Sequence, residues 1–535
     1  MASPPGKRAR KLEQDAGEGE WNTFVRPLLT DKYQVTMAYA YWCSGRHEEH
    51  AVFELFFRKN PFKGEFTLFC GLQDAVRFVH SFKLSAEDVR WVRAQLPAGA
   101  DEAFFSWLSG LDGSQIKLWA VEEGSVVYPR VPLIRVEGPL GLAQLLETTL
   151  LNLTNFSSLI ATNAQRMRLA AGADKTLLEF GLRRAQGPDG AMTASRYSFV
   201  GGFDGTSNCL AGQLFGIPTK GTHAHAFVSS FRGPEDLKDT RLAGRPFWEG
   251  CLATRKRLGF EASNVAELAA FVAYAQAFPD GFLALVDTYD TLASGLPNFV
   301  VVARELRAHG HRPLGVRLDS GDLSYFSKRA KELFREHGLH ECSIVASNDI
   351  NEEALLSLQR QGHAIDTFGI GTNLVTCQAQ PALGMVFKLV QVNGHACIKL
   401  SDDVEKTTIP GRKRVFRLLG ANGQALLDLM QRDNERPPQV GQQVLCIHPF
   451  KSHLRCYVKP AQVKELLVPV FDGRPLAETP SLHALRDRVK HEMACVREDH
   501  YQLLQPTPYK VSVSSALFDF LQEMWIKEAP IKVLE

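Results

Sequence analysis

The stretch Leu314-Gly-Val-Arg-Leu-Asp-Ser-Gly-Asp322 decides the architecture of this chain. Its apolar run, Leu314 to Leu318, reads as a buried β-strand, and the polar residues from Asp319 to Asp322 open a helical segment. The same grammar recurs on both sides. Leu177 to Phe180 precedes Gly181-Leu-Arg-Arg184, Ile217 precedes two histidines, and Leu283 to Val286 precedes Asp287-Thr-Tyr-Asp290. Ser343 to Ala346 precedes Ser347-Asn-Asp349, and Ile365 to Ile370 precedes Gly371-Thr372. The last four runs are spaced by roughly 25 to 30 residues, the length of one strand-helix unit. This rhythm predicts a parallel sheet, barrel or doubly wound, with functional groups at the carboxyl ends of its strands. Six units that gather polar residues at one end favour the barrel.

Outward from this core, Leu140 to Arg168 is strongly helical, and residues 141–388 are expected to form the barrel domain. Residues 21–140 and 389–535 mix helices and short strands without alternation, and both ends of the chain are expected to build a second, β-containing domain. Within the first, Thr30 or Asp31 caps a helix whose Tyr33, Met37 and Tyr41 share one face, a pattern usual for core. Val52 to Arg58 reads as a strand ended by Asn60-Pro61. Residues 1–20 are polar and of mixed charge, as in a disordered tail. Within them, Lys7-Arg8-Ala9-Arg10-Lys11 reads either as a nuclear address or as solvated charge.

A chain of 535 residues exceeds one ordinary core, so two or three domains are expected. With 45% hydrophobic and 22% charged residues, its composition is that of a soluble globular protein. A net charge of +2 argues against a dedicated nucleic-acid or membrane partner. The ten cysteines include no Cys-x-x-Cys pair, which fits neither a disulfide framework nor a structural zinc site and points to a reducing compartment such as the cytosol. Nothing at the start resembles a secretory signal, and no apolar run is long enough to span a membrane. Two glycosylation sequons, at Asn152 and Asn155, sit in an apolar helical stretch that leaves no room for a glycan.

The strand ends carry the chemistry. Asp287, Asp319, Asp322 and Asp349 supply hard oxygen ligands for a magnesium ion and sugar hydroxyls, although at least two of the four are expected only to cap the following helix. Gly369-Ile-Gly371-Thr372 resembles the backbone cradle that holds a phosphate late in barrel folds. Ile217-Pro-Thr-Lys-Gly-Thr-His-Ala-His-Ala-Phe227 combines a cation in Lys220, close approach at Gly221, a hydroxyl in Thr222 and a base or nucleophile in His223 or His225. On a strand, the two histidines would share one face and could simply be buried. Arg317, embedded between Val316 and Leu318, needs either an anionic ligand or a buried aspartate.

Seven motifs in order resemble nicotinate phosphoribosyltransferases. They are Leu-Leu-Thr-Asp-Lys-Tyr-Gln (28–34), Phe-Glu-Leu-Phe-Phe-Arg (53–58), Gly-Leu-Arg-Arg-Ala-Gln-Gly-Pro-Asp-Gly (181–190), Gly-Thr-His-Ala-His-Ala-Phe (221–227), Gly-Val-Arg-Leu-Asp-Ser-Gly-Asp (315–322), Ser-Asn-Asp-Ile (347–350) and Gly-Ile-Gly-Thr (369–372). The resemblance implies an irregular α/β barrel joined to an α/β sandwich, a homodimer, and synthesis of nicotinate mononucleotide from nicotinate and phosphoribosyl diphosphate. It implies ATP as a cosubstrate and Mg2+ or Mn2+ as the cation. By motif, His225 resembles the histidine that becomes phosphorylated. Tyr33, Thr222, Arg317, Phe180 and Arg183 resemble the nicotinate pocket; Thr372, Gly371 and Asp349 the phosphoribosyl diphosphate site. Asp287 and Asp319 resemble the carboxylates near ribose and metal. Position 223, often apolar in the family, is here a second histidine, and the insert from Arg232 to Gly259 carries no usable motif.

Two rivals compete with this reading. His-x-His at a barrel strand end is also a two-metal hydrolase pattern, but His311, His337, His340 and His363 fall before strands or in linkers. A binding protein on an inactive scaffold is opposed by the complete polar set.

Overall fold

Leucine- and valine-rich runs that stop at polar residues form a parallel sheet. The computed structural model describes Asn22, residues 24 to 401, Asp403 and residues 406 to 530. The expected tail and its basic cluster lie outside the described residues. The chain forms two compact units, one of residues up to Asn163 together with those from Ala379 on, the other Ala164–Gln378.

In the second unit the strands are β1 (Thr176–Glu179), β2 (Gly205–Thr206), β3 (Leu283–Leu285), β4 (Gly315–Leu318), β5 (Ser343–Ala346) and β6 (Thr367–Ile370). They pair in the order β3-β4-β5-β6-β1-β2, every ladder parallel. The last strand thus lies beside the first, and, β2 and β3 apart, neighbours in sequence are neighbours in space. A doubly wound sheet instead reverses its order at a switch point. The edges left over are β2 and β3.

The expected strand at Ile217 is not one of the six; the second strand is Gly205–Thr206. Ile217 is buried, but the segment after it makes only an isolated parallel bridge, Thr219 with Thr206. Pro218 has no amide hydrogen, so a ladder cannot run through it. Helices Val265–Ala277, Leu296–Ala308, Leu323–Glu336 and Glu352–Gln361 link the later strands, with a five-residue π-helical turn, Thr291–Gly295, after β3.

The other unit holds two six-stranded sheets. In one, strands from both ends alternate antiparallel, and Met385–Val392 pairs with His50–Phe57. That pairing draws residues expected in the barrel into the terminal unit. The first half of helix Glu147–Ala171 joins them, since Ser158 and Thr162 accept the amides of Cys70 and Leu68. The second sheet, centred on Lys413–Leu419 and Ala425–Arg432, is tied to the first by a buried pair, Lys413 Nζ to Glu54 at 2.9 Å. Helix Lys32–Cys43 buries Gln34, Val35 and Ala38, not the expected aromatic face. Tyr33 is 48% exposed, its hydroxyl donating to Glu147 Oε1 at 3.0 Å.

All ten cysteines are free, and no helix among the described residues is long and apolar enough to cross a membrane.

Candidate active site

The carboxyl ends of β3, β4 and β5 and the segment Thr219–His225 bring one set of polar groups together. Alternation along β4 puts Arg317 and Asp319 on one side. Arg317 is not paired with an aspartate: its Nη2 donates to the His223 carbonyl at 2.8 Å, and its buried Nε has no hydrogen-bond partner. Burial lowers its pKa, opposed by the charges of Asp319 and Asp287. A guanidinium remains a cation under such a shift, so its unpaired Nε calls for an anion or a lone pair.

The two histidines do not act alike. They lie off any strand, with His225 opening the short helix His225–Ser229, so their rings part. His223 is buried against Phe227, Phe271 and Tyr274, and its Nε2 accepts the Leu285 amide at 3.2 Å. An accepting nitrogen must be unprotonated, and burial, aided by the charges of Arg317 and His225, lowers the ring's pKa to about 4. His225 is 45% exposed at its side chain, with Nε2 3.8 Å from Asp319 Oδ2 and 4.0 Å from Asp287 Oδ1. Its Nδ1 lies 3.0 Å from Thr288 Oγ1. With Nδ1 carrying the proton toward Thr288, the Nε2 lone pair is free.

The two aspartates are held from behind. Asp287 Oδ2 accepts the Asp319 amide at 3.1 Å and the Ser320 hydroxyl, while its buried Oδ1 has no hydrogen-bond partner. Asp319 Oδ1 accepts from Ser347 Oγ at 2.6 Å. Of the four aspartates expected at strand ends, only Asp322 caps a helix, accepting the Tyr325 amide at 2.9 Å. The expectation of at least two caps fails because Asn351 caps the helix after Asp349, and Asp290 the turn after Asp287.

Phe180 continues β1, its amide on the Ile370 carbonyl at 2.8 Å. A Cβ on Gly369 would lie 2.4 Å from its ring, so glycine there is a packing requirement. Arg183 and Asp349 are exposed, Thr222 is half-buried, and Gly371-Thr372 opens the four-residue helix Thr372–Val375. Lys220 and Gly221 are exposed, with open space around Gly221. Tyr33 belongs to the other unit.

Sequence reasoning missed several supporting groups. Thr288 stood in a quoted motif without a role. Tyr274 lies in the apolar helix Val265–Ala277 and gives no local signal. Glu179, buried at the end of β1, accepts from Ser195 at 2.8 Å, Thr206 at 2.5 Å and the Gly181 amide, a polar knot under Phe180. Among the described residues, no three His, Cys, Asp or Glu side chains are grouped to hold a metal. His223 Nε2 is turned onto the Leu285 amide and His225 Nδ1 onto Thr288, so the two rings do not converge as a His-x-His ligand pair.

The model of the nicotinate phosphoribosyltransferase family matches residues 176–437, flanked by its N-terminal domain at 28–155 and C-terminal domain at 412–521. The chain is 53% identical over 534 residues to nicotinate phosphoribosyltransferase of Dictyostelium discoideum, covering 96% of this chain and 90% of that protein. It is 50% identical over 556 residues to nicotinate phosphoribosyltransferase 2 of Arabidopsis thaliana, covering 99% and 100%. The crystal structure of human nicotinic acid phosphoribosyltransferase superposes with a TM-score of 0.83 at 42% identity, covering 92% of this chain and 99% of that one.

The lowered His223 pKa has a signed consequence. The unfolded imidazole, near 6.5, binds a proton that the folded one refuses down to about 4. Stability from this group is therefore full above pH 6.5 and is lost as pH falls toward 4. Denaturant unfolding at pH 7 and 4.5 should show His223→Gln losing less stability on acidification than wild type, by about 1 to 2 kcal/mol. Equal losses would place the ring outside the buried contact.

Proposed function

The chain belongs to the nicotinate phosphoribosyltransferase family, an enzyme family of NAD biosynthesis, and from that premise we propose the chemistry its site performs. The substrates are nicotinate and phosphoribosyl diphosphate. The pyridine nitrogen attacks the anomeric carbon, that carbon's bond to the diphosphate oxygen breaks, and diphosphate departs with the electron pair. The single observation that carries the reading is Arg317, a half-buried guanidinium whose buried Nε has no protein acceptor. Nicotinate supplies the missing anion through two charge-assisted hydrogen bonds, which fix the direction of its ring nitrogen. Phe180, Arg183 and Thr222 form the remainder of this pocket, and Gly371, Thr372 and Asp349 receive the phosphoribosyl group.

Asp287, with an open buried Oδ1, and Asp319 beside it are suited to a hard divalent cation, Mg2+ or Mn2+, that keeps several waters and arrives with phosphate. Such a cation would neutralise charge on the departing diphosphate. The two carboxylates also stabilise the positive charge that develops on the substrate ribose as diphosphate departs.

ATP coupling runs through His225. Its Nε2 attacks the γ-phosphorus of ATP, the bond to the β-bridging oxygen breaks, and ADP leaves; water later releases phosphate from the phosphohistidine. Thr288 holds Nδ1, and Lys220 with the Gly221 backbone provides positive charge and close approach for the entering phosphate. The protein works as a homodimer in which Tyr33 serves the partner's site; a sedimentation mass of one chain would remove that part.

Three outcomes test the scheme. Nicotinamide at equal concentration should compete feebly, and Arg317→Ala should lower kcat/KM for nicotinate by the equivalent of roughly 2 to 5 kcal/mol. Equal use of acid and amide would defeat the carboxylate assignment. Label from γ-labelled ATP should appear, acid-labile and base-stable, on wild type and His223→Ala but not on His225→Ala. Label that follows His223 instead would reverse the assignment.

A further inference from the structure

The sheet of the Ala164–Gln378 unit has β2 and β3 as its two edge strands, with no ladder between them. Successive amides of a strand point to opposite sides. The Val286 amide donates to Arg317 on β4 at 3.2 Å, so the Leu285 amide faces the open edge. There it meets a side chain instead of a strand, the His223 ring at 3.2 Å. On the far side of the gap, Thr219 continues from the β2 edge: the Lys220 amide donates to the Thr206 carbonyl at 2.9 Å, and the Thr206 amide to Pro218 at 3.0 Å. Residues 219 to 223 therefore span from the β2 edge to the β3 edge.

We propose that His223 is a positioning residue: its ring latches the sheet into a closed barrel, and its carbonyl, fixed by that latch, sets Arg317 for the substrate carboxylate. The inference rests on the reading that Arg317 binds nicotinate. Two contacts on one residue make the coupling. The ring takes the Leu285 amide on β3, and the carbonyl takes Arg317 Nη2 at 2.8 Å on β4. Leu285 and Arg317 are register partners in the β3–β4 ladder, so the latch and the guanidinium share one rung. Aromatic packing by Tyr274 and Phe227 at 4.7 and 5.5 Å holds the ring in plane with its acceptor nitrogen toward β3. An apolar side chain at 223 would fill the same space and leave the Leu285 amide without an acceptor, releasing the segment that aims Arg317.

The test compares His223→Leu, which keeps apolar volume without an acceptor, with His223→Gln, whose Oε1 can occupy the Nε2 position. Steady-state kinetics with nicotinate and with phosphoribosyl diphosphate as the varied substrate give the discriminating readout. His223→Leu should raise the KM for nicotinate roughly tenfold, as expected when one charge-assisted contact is misaligned, while the KM for phosphoribosyl diphosphate changes less than about twofold. His223→Gln should remain within about threefold of wild type for both. Hydrogen exchange at the Leu285 amide should quicken in His223→Leu and stay slow in His223→Gln. Should His223→Leu fail to accumulate folded, His223→Asn, too short to reach that amide, takes its place in the comparison. A wild-type nicotinate KM in the acceptor-less variant, an equal rise in both KM values, or no rescue by glutamine would overturn the proposal. Arg317→Ala, run beside them, separates the two levels: if it leaves the nicotinate KM unmoved, the carboxylate reading fails, whereas a large rise with a silent His223→Leu removes the latch alone.

Discussion

A guanidinium set half-buried in the wall of a parallel sheet must be answered by negative charge or lone pairs, and Arg317 is answered by one carbonyl, that of His223. The neighbouring carboxylates do not complete it. Asp287 is turned to the Asp319 amide and Ser320, and Asp319 to Ser347. Those serines keep the aspartates from collapsing onto the arginine, which leaves a cation and an anion pair side by side, each with open valence. Such a separation suits a zwitterionic encounter: a carboxylate on one side, a cation-bound phosphate on the other.

The same spacing governs His225. A free Nε2 about one water's breadth from two carboxylates is a poor place for a phosphate unless a cation intervenes, because like charges at 4 Å repel by about 4 kcal/mol at an effective dielectric of 20. In the proposed scheme, the anionic flank would tie phosphate chemistry at His225 to a metal that the phosphate brings. Thr288, three residues beyond β3, holds Nδ1 of the ring and so turns Nε2 toward the two carboxylates.

The parallel sheet was legible because its strands obey local rules: apolar runs ending at Asp287, Asp319, Ser347 and Gly371 are visible without tertiary knowledge. The strand Gly205–Thr206 was not, since two residues without apolar neighbours carry no periodic signal and are held by ladder and bridge partners far along the chain. Ile217 reads as a strand because its burial is legible in the sequence, while Pro218 leaves only an isolated bridge after it. The roles of the two histidines were beyond spacing arguments: identical side chains two residues apart differ only because one meets Leu285 and an aromatic wall and the other meets Thr288. Helix Lys32–Cys43 shows the opposite error. Its aromatic stripe matched a core face, but Tyr33 spends its hydroxyl on Glu147, and burial together with that carboxylate raises its pKa to about 12.

The central claim is that Arg317, held by the His223 carbonyl, receives the carboxylate of the substrate. A crystal structure of the protein with nicotinate and phosphoribosyl diphosphate measures this directly. The account predicts both carboxylate oxygens within hydrogen-bond distance of the Arg317 guanidinium, the His223 carbonyl still on Nη2, and the pyridine nitrogen directed at the anomeric carbon. A carboxylate bound elsewhere, with Arg317 swung onto Asp287 or Asp319, would contradict it.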